Sequence, residues 1–180
     1  VPLLARKPEG RLFDQLSFVV GENHFRLGKW AEAITPFESF VAVYVKQPKK
    51  PKGKATLSKV SNLDTALIQV AVSYARLGKK EEALGHLKML VDNYTTDTTH
   101  LPLALAEQGK LYYETDDLKR ARQALARFAA ERKNPANKIF QAASAEVGRV
   151  HYYLGWIDSA ENLHPAAANN FEIAAASSGG

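Results

Sequence analysis

The fold is decided by the stretch AVSYARLGKKEEA, residues 71–83. This stretch predicts the end of one helix, a tight turn at Gly78 and the start of a second helix, because glycine supplies the left-handed backbone that ends helices. Counted from Gly78, a small residue lies seven positions earlier (Ala71) and an aromatic residue four positions earlier (Tyr74). An alanine lies five positions later (Ala83). We call these four positions the repeat pattern.

The repeat pattern occurs three more times, with turns placed at Gly28, Asp116 and Gly155. Asp116 can replace a glycine because aspartate visits the left-handed region more easily than most residues. The small, ring-bearing and alanine positions of these copies are, in order, Gly21, His24 and Ala33, then Gly109, Tyr112 and Ala121, then Gly148, His151 and Ala160. Since one helix pair cannot bury its apolar face alone, neighbouring pairs should stack. The sequence therefore predicts an all-α solenoid of four antiparallel helix pairs.

The predicted domain organisation has one repeat domain with a flanking segment at each end. The fourth pair is expected to begin near Lys138 and to turn at Gly155, with a short second helix because Pro165 follows soon after. Asn62 or Ser61 is expected to cap the third helix. The predicted limits are an irregular entry segment at 1–10, a repeat domain at 11–164 and a C-terminal helix or tail at 165–180.

The net charge of +5 comes from one lysine-rich segment, residues 46–59, which contains no acidic residue. Its prolines and glycine predict an exposed loop. Such a loop can attract nucleic acid or an anionic surface without specificity. It can equally be a solvated insertion, which the absence of interleaved aromatic residues favours. Its lysines are Lys46, Lys49, Lys50, Lys52, Lys54 and Lys59.

The sequence offers no pattern typical of catalysis. Cysteine is absent, which excludes disulfides, thiolate zinc sites and cysteine nucleophiles. No glycine-rich phosphate loop, dinucleotide fingerprint, serine-hydrolase elbow or HExxH zinc motif occurs. The paired acids Glu81–Glu82 and Asp116–Asp117 each fall at a predicted helix start, where they suit the positive helix end. We therefore expect no catalytic residue, no metal and no cofactor, and no run of ~20 apolar residues predicts a membrane span.

The repeat pattern resembles that of the tetratricopeptide repeat family, over residues 11–164. The resemblance implies a right-handed superhelix whose first helices line a concave groove that binds a peptide or a partner protein. It implies ten groove positions: Phe18, Glu22, Phe25, Arg26, Arg76, Lys110, Tyr113, Arg149, Tyr152 and Tyr153. Arginine and tyrosine are typical anchors of protein interfaces.

The resemblance predicts a non-enzymatic scaffold that binds another protein, within a larger assembly. The phrase LGKKEEALGHLKMLVDNY, residues 77–94, is similar to bacterial envelope members of the family, of the Tol-Pal and outer-membrane assembly type. This favours the bacterial periplasm or a membrane-associated location over the cytoplasm. The alternative is a nucleic-acid or anionic-surface binder that acts through the lysine-rich segment.

Overall fold

The computed structural model describes residues 11–45, 62–94 and 98–177. Within these ranges the backbone forms nine α-helices and no strand, so the prediction of an all-α helical-repeat fold is confirmed. The entry segment and the lysine-rich segment lie outside the described residues. The helices are α1 (Arg11–Arg26), α2 (Trp30–Val45), α3 (Leu63–Arg76), α4 (Lys80–Asn93), α5 (Leu101–Glu114), α6 (Leu118–Lys133), α7 (Lys138–Ala142), α8 (Val147–Ala160) and α9 (His164–Ser177).

The helices form two compact units, which divide between Tyr94 and Thr95. In unit 1, the pair α3/α4 follows the pair α1/α2, and α3 packs on both α1 and α2. In unit 2, α8 packs on α5 and α6, α9 packs on α8, and the short helix α7 packs on α6. Within each unit one helix pair is thus stacked on the pair before it. The domain limits at 11–164 and 165–180 stay predictions.

Each helix pair is joined by a turn with one residue in the left-handed conformation. The φ angles are +69° at Gly28, +75° at Gly78, +61° at Asp116 and +60° at Asn162. In every turn the next residue donates its backbone N–H to the carbonyl five positions earlier, which satisfies one free carbonyl at the helix end. These bonds are Lys29 to His24 (2.9 Å), Lys79 to Tyr74 (2.9 Å), Asp117 to Tyr112 (2.9 Å) and Leu163 to Asp158 (2.8 Å).

The predicted fourth turn at Gly155 is wrong. Gly155 is buried inside α8, and the turn lies seven residues later at Asn162. The short helix α7 and a break before Val147 precede α8, so the fourth pair does not begin at Lys138. The second helix is not short either, because Pro165 lies in the first turn of α9, where its missing N–H costs no hydrogen bond.

A small residue seven positions before the turn lets the two helices of each pair approach closely. A Cβ atom built on Gly21 would lie 2.7 Å from the Phe37 ring, and one on Gly155 would lie 2.7 Å from the Phe171 ring. Both contact residues lie nine positions after their turns. In the third pair, Gly109 meets Leu125, which also lies nine positions after its turn. The same spacing in three of the four pairs supports Asn162 as the fourth turn.

The alanine five positions after each turn is buried, as the repeat pattern predicts. Ala33, Ala83 and Ala121 are fully buried. In the fourth pair this position belongs to Ala167, which is also buried, and not to the predicted Ala160, which is exposed.

The position four before the fourth turn belongs to Asp158 and not, as predicted, to His151. The Asp158 side chain is 4% exposed, and its carboxylate pairs with Arg122 Nη1 of α6 at 2.7 Å. It also accepts a hydrogen bond of 2.7 Å from Asn170 Nδ2 of α9. Asn170 Oδ1 in turn accepts from His151 Nδ1 at 2.6 Å. A buried polar network therefore joins α6, α8 and α9 where the other pairs carry a ring.

The N-terminal ends of α3 and α6 are capped differently. Asn62 precedes α3 in the left-handed conformation with φ +66° and makes no side-chain capping bond, so the prediction of an Asn62 cap is wrong, while the alternative, Ser61, lies outside the described residues. At α6, Asp117 accepts a hydrogen bond of 2.9 Å from the backbone N–H of Arg120. That bond lowers the pKa of the Asp117 carboxyl, as a charge at a helix N-terminus should.

Tyr74 joins three helices of unit 1. Its hydroxyl donates to Glu38 Oε1 of α2 at 2.5 Å, and its ring stacks on His86 of α4 with centroids 5.7 Å apart. Burial, aided by the Glu38 hydrogen bond, raises the pKa of Tyr74 to about 12. Burial lowers the pKa of His86 despite the nearby Glu38 carboxylate, so this histidine packs in its neutral form at neutral pH. Tyr74 therefore has the packing role that its place in the repeat pattern predicts.

Candidate functional site

Polar and aromatic side chains gather on one surface of unit 2, where α8 packs against α5. Residues three and four apart share one side of a helix, so these side chains project from neighbouring turns of α5 and of α8. We call this surface the α5–α8 face. Its members are Glu107, Lys110, Tyr113 and Glu114 of α5, and Arg149 and Tyr153 of α8.

Two ion pairs lie on the α5–α8 face. Arg149 Nη1 of α8 pairs with Glu107 Oε1 of α5, which links the two helices directly. Lys110 Nζ lies 3.8 Å from Glu114 Oε1, one turn further along α5. All four side chains are partly exposed. Both cations are therefore held in place and still reach solvent.

Two tyrosine rings pack together on the same face. The Tyr113 and Tyr153 rings have centroids 5.1 Å apart with an interplanar angle of 53°. Burial raises the pKa of Tyr153, and the Glu114 carboxylate raises it further, against the opposing effect of Arg149. The hydroxyl therefore stays protonated and can donate a hydrogen bond to a bound group.

Two of the predicted groove residues of unit 1, Phe25 and Arg76, lie beside Trp30. The Phe25 and Trp30 rings have centroids 5.1 Å apart, and the Arg76 guanidinium lies 6.0 Å from the centre of the Trp30 ring. Arg26 Nη2 pairs with Glu22 Oε1 of the same helix at 2.7 Å. Arginine over tryptophan is a favourable cation–π arrangement, so Arg76 is held by packing as well as being exposed.

Phe18 is placed differently from the other candidates. It is only 6% exposed and packs against the rings of Phe37 and Phe40, at 6.0 and 5.4 Å between centroids. A side chain this deeply buried offers little area to a partner, so Phe18 is not part of the binding surfaces that we propose.

Tyr152 lies beside the α5–α8 face in a second aromatic group. It is 47% exposed, and its neighbour Trp156 is 44% exposed. The Tyr152 ring lies 6.2 Å from the Trp156 ring and 6.4 Å from the Phe171 ring of α9, centroid to centroid. Tyr152 is one of the predicted groove residues, whereas Trp156 and Phe171 are not, although the spacing of Tyr152 and Trp156 by four residues puts them on one helix face.

The described ranges contain neither a metal-binding group of side chains nor a membrane-spanning helix. They hold no group of three or more histidine, cysteine, aspartate or glutamate side chains that could bind a metal ion. No helix in the same ranges is long and apolar enough to cross a membrane.

The nine helices of the described ranges and their repeat pattern define a helical-repeat fold. Residues 65–96, which include most of α3 and all of α4, match the family model described as tetratricopeptide repeat. The chain therefore carries a tetratricopeptide repeat, and the resemblance predicted from the sequence is confirmed. Such repeats in general mediate protein–protein interactions as non-enzymatic scaffolds.

Eleven chains of solved structures match this protein. One is the crystal structure of BtubC (BKLC) from P. vanneervenii, with a TM-score of 0.70 and 18% sequence identity. The match covers 96% of this chain and 65% of the other, so this chain spans less than two thirds of that structure. At this identity the similarity shows the fold alone. No curated protein sequence matches the chain.

Proposed function

We propose that this protein is an interaction scaffold that binds a segment of another protein on its α5–α8 face. The observation that carries the proposal is the meeting of two ion pairs and a tyrosine pair from two successive repeats. Tyrosine and arginine give large contact areas and directed hydrogen bonds at low entropic cost, which is why they are common anchors of interfaces.

The electrostatics of the face indicate the chemistry of the bound segment. Lys110 and Arg149 are the two cations, and each already faces a carboxylate of its own chain. A carboxylate of the partner would therefore compete with Glu107 or Glu114 and would not enter an empty site. The expected partner is a segment of mixed charge, bound with modest affinity that weakens as salt concentration rises.

Removing both cations should weaken binding by roughly tenfold, equivalent to ~1.4 kcal/mol. The variant is Lys110→Ala with Arg149→Gln, since glutamine can still donate a hydrogen bond to Glu107 and so spares the link between the helices. The partner would be found by affinity capture from the source organism and mass spectrometry, then purified and titrated by calorimetry.

The matched control removes two exposed cations from α6, by Lys119→Ala with Lys133→Ala. It changes the net charge equally but leaves the α5–α8 face intact. Equal affinity of the two variants for the purified partner would show that net charge alone matters and would refute binding on this face.

Three finer predictions join this proposal. The candidate contacts of unit 1 are Phe25 and Arg76, which lie beside Trp30, and the Arg26–Glu22 ion pair. The role in a bacterial envelope assembly depends only on the similarity of residues 77–94. The alternative, a nucleic-acid or anionic-surface binder, depends on residues 46–59, which lie outside the described ranges. The geometry of the α5–α8 face favours the protein-binding function over that alternative.

A further inference from the structure

A cleft of about 470 Å³ opens between α8 and α9. This volume lies within the range of ~300–1,000 Å³ that is typical of ligand pockets. The half-exposed rings of Tyr152 and Trp156 stand beside it. The lining is mostly apolar, with Arg149 as its one charged member, and consists of Gly148, Arg149, Tyr152, Phe171, Ala174 and Ala175.

The preceding helix pair, α5/α6, has an equivalent position, and there another part of the chain covers it. Counted from their turns, Pro102 and Leu103 of α5 correspond to Gly148 and Arg149 of α8. Beside them lies a smaller cavity of about 190 Å³, whose other wall is formed by α7 and the residues that follow it. In the third pair, the short helix α7 therefore covers this position. In the fourth pair, the equivalent position is the open cleft.

One aromatic side chain fixes α7 in that place. Phe140 of α7 is 1% exposed and packs on Phe128 of α6, with ring centroids 5.6 Å apart. The position equivalent to Phe128 in the fourth pair is Ala174, twelve residues after the turn. Alanine leaves the volume of an aromatic ring unfilled there, which deepens the cleft.

We propose that the cleft between α8 and α9 is a second docking site, which binds a short helical segment of another protein through one large apolar side chain. The bound segment would lie on α8 and α9 as α7 lies on α5 and α6. Its anchor would enter above Ala174, between Tyr152 and Phe171, where apolar contact and aromatic edges favour a phenylalanine, leucine or tryptophan. The cleft shares Arg149 with the α5–α8 face, but the proposed anchor contacts Ala174 and Phe171, which are not part of that face.

The size of the exposed patch argues for a short helix and against a second copy of this chain. Two aromatic side chains that are about half exposed offer roughly 200 Å² of surface. A stable interface between two folded proteins needs about 800 Å² on each partner. One or two turns of helix match the smaller area.

The test uses a synthetic peptide with the sequence of residues 134–146, NPANKIFQAASAE, which contains α7 and its flanks. The protein has two tryptophans, so Trp30→Phe leaves Trp156 as the reporter. Adding the peptide should shift Trp156 emission to shorter wavelength, with half-saturation on the order of 100 μM, because a short peptide must become ordered on binding. A peptide with Phe140→Ala should bind at least tenfold more weakly.

Ala174→Phe fills the cleft and should abolish the shift, whereas Ala168→Phe, on the exposed side of α9, should preserve it. Tyr152→Ser removes an exposed ring and should weaken binding even if Ala174→Phe perturbs folding, which circular dichroism would reveal. The proposal is overturned if 1 mM peptide causes no shift or if binding survives both cleft substitutions. It is also overturned if light scattering shows a dimer that Ala174→Phe disrupts, since the occupant would then be a second copy. Any of these results would leave the α5–α8 face untouched as a binding surface.

Discussion

Replacing Arg122 with methionine should lower the free energy of unfolding by about 3 kcal/mol, the lower end of the cost of breaking a buried ion pair. The cost arises at Asp158, whose side chain is 4% exposed and would keep its charge without a cation beside it. The lower end applies because Arg122 itself is 32% exposed and water can partly replace it. Burial opposes the charge of Arg122, yet Asp158 and Glu161 together still raise its pKa, so the guanidinium is bound firmly in the folded state.

The control is Arg120→Met on the same helix, because the pair of Arg120 with Asp117 is exposed on the arginine side. Exposed pairs contribute ~1 kcal/mol or less, so this variant should be close to the unmodified protein. Adding Asp158→Asn to Arg122→Met should recover part of the lost stability, because the amide removes the unpaired charge. Urea unfolding followed by circular dichroism measures all four proteins. Equal losses for Arg122→Met and Arg120→Met would show that the network does not stabilise unit 2.

Gly109→Ala should destabilise the protein by about 2 kcal/mol, as expected for an added methyl group in a packed interior. The new Cβ atom would overlap the Leu125 side chain of α6, which is fully buried and has no free space to move into. The intrinsic preference of alanine over glycine in a helix, ~1 kcal/mol, acts in the opposite direction and is already included in this figure.

Gly85→Ala is the matched control, since Gly85 lies inside α4 and an added Cβ meets nothing within 4 Å. It should stabilise the protein by ~0.5–1 kcal/mol. In thermal unfolding, the midpoint temperature of Gly109→Ala should lie below that of the unmodified protein, and the midpoint temperature of Gly85→Ala should lie above it. A stabilising effect of Gly109→Ala would mean that α5 and α6 are not in close contact at this point.

Three of the four turns could be predicted from the sequence because their residues have one clear role. Gly28 and Gly78 have space around them and positive φ, and Asp116 is an acceptable substitute. The fourth turn could not be predicted in the same way. Glycine fits both the turn, for its backbone, and the position seven residues earlier, for its size. Gly155 serves the second purpose, while Asn162 takes the turn.

The slip of seven residues in the fourth pair moves the candidate residues along α8 more than it rotates them around it. Seven residues are almost two helical turns, which rotates a side chain by only ~20°. Arg149, Tyr152 and Tyr153 therefore keep nearly the same angular position on α8 but lie about two helical turns further from the turn that follows it, and their place in a binding surface stays a prediction. The predictions for the packing residues were affected more. The repeat position that was assigned to the His151 ring is occupied by the buried Asp158 carboxylate.

The partners of the candidate residues were harder to predict than the residues themselves. The pairing of Lys110 with Glu114 follows from their spacing by four residues. The pairing of Arg149 with Glu107 does not, since it depends on how α8 packs against α5. The exposure of Trp156 likewise depends on packing between helices, which periodicity along one helix does not specify.

The placement of Gly155 inside α8 and of Asn162 at the turn decides which surface Arg149, Tyr152 and Tyr153 share. Backbone NMR chemical shifts across residues 147–177 test it directly. The expected result is one unbroken helix from Val147 to Ala160, a positive φ at Asn162 and a second helix from His164 to Ser177. A helix that ends at Gly155, with positive φ there and helical shifts at Asn162, would contradict this arrangement and both binding surfaces built on it.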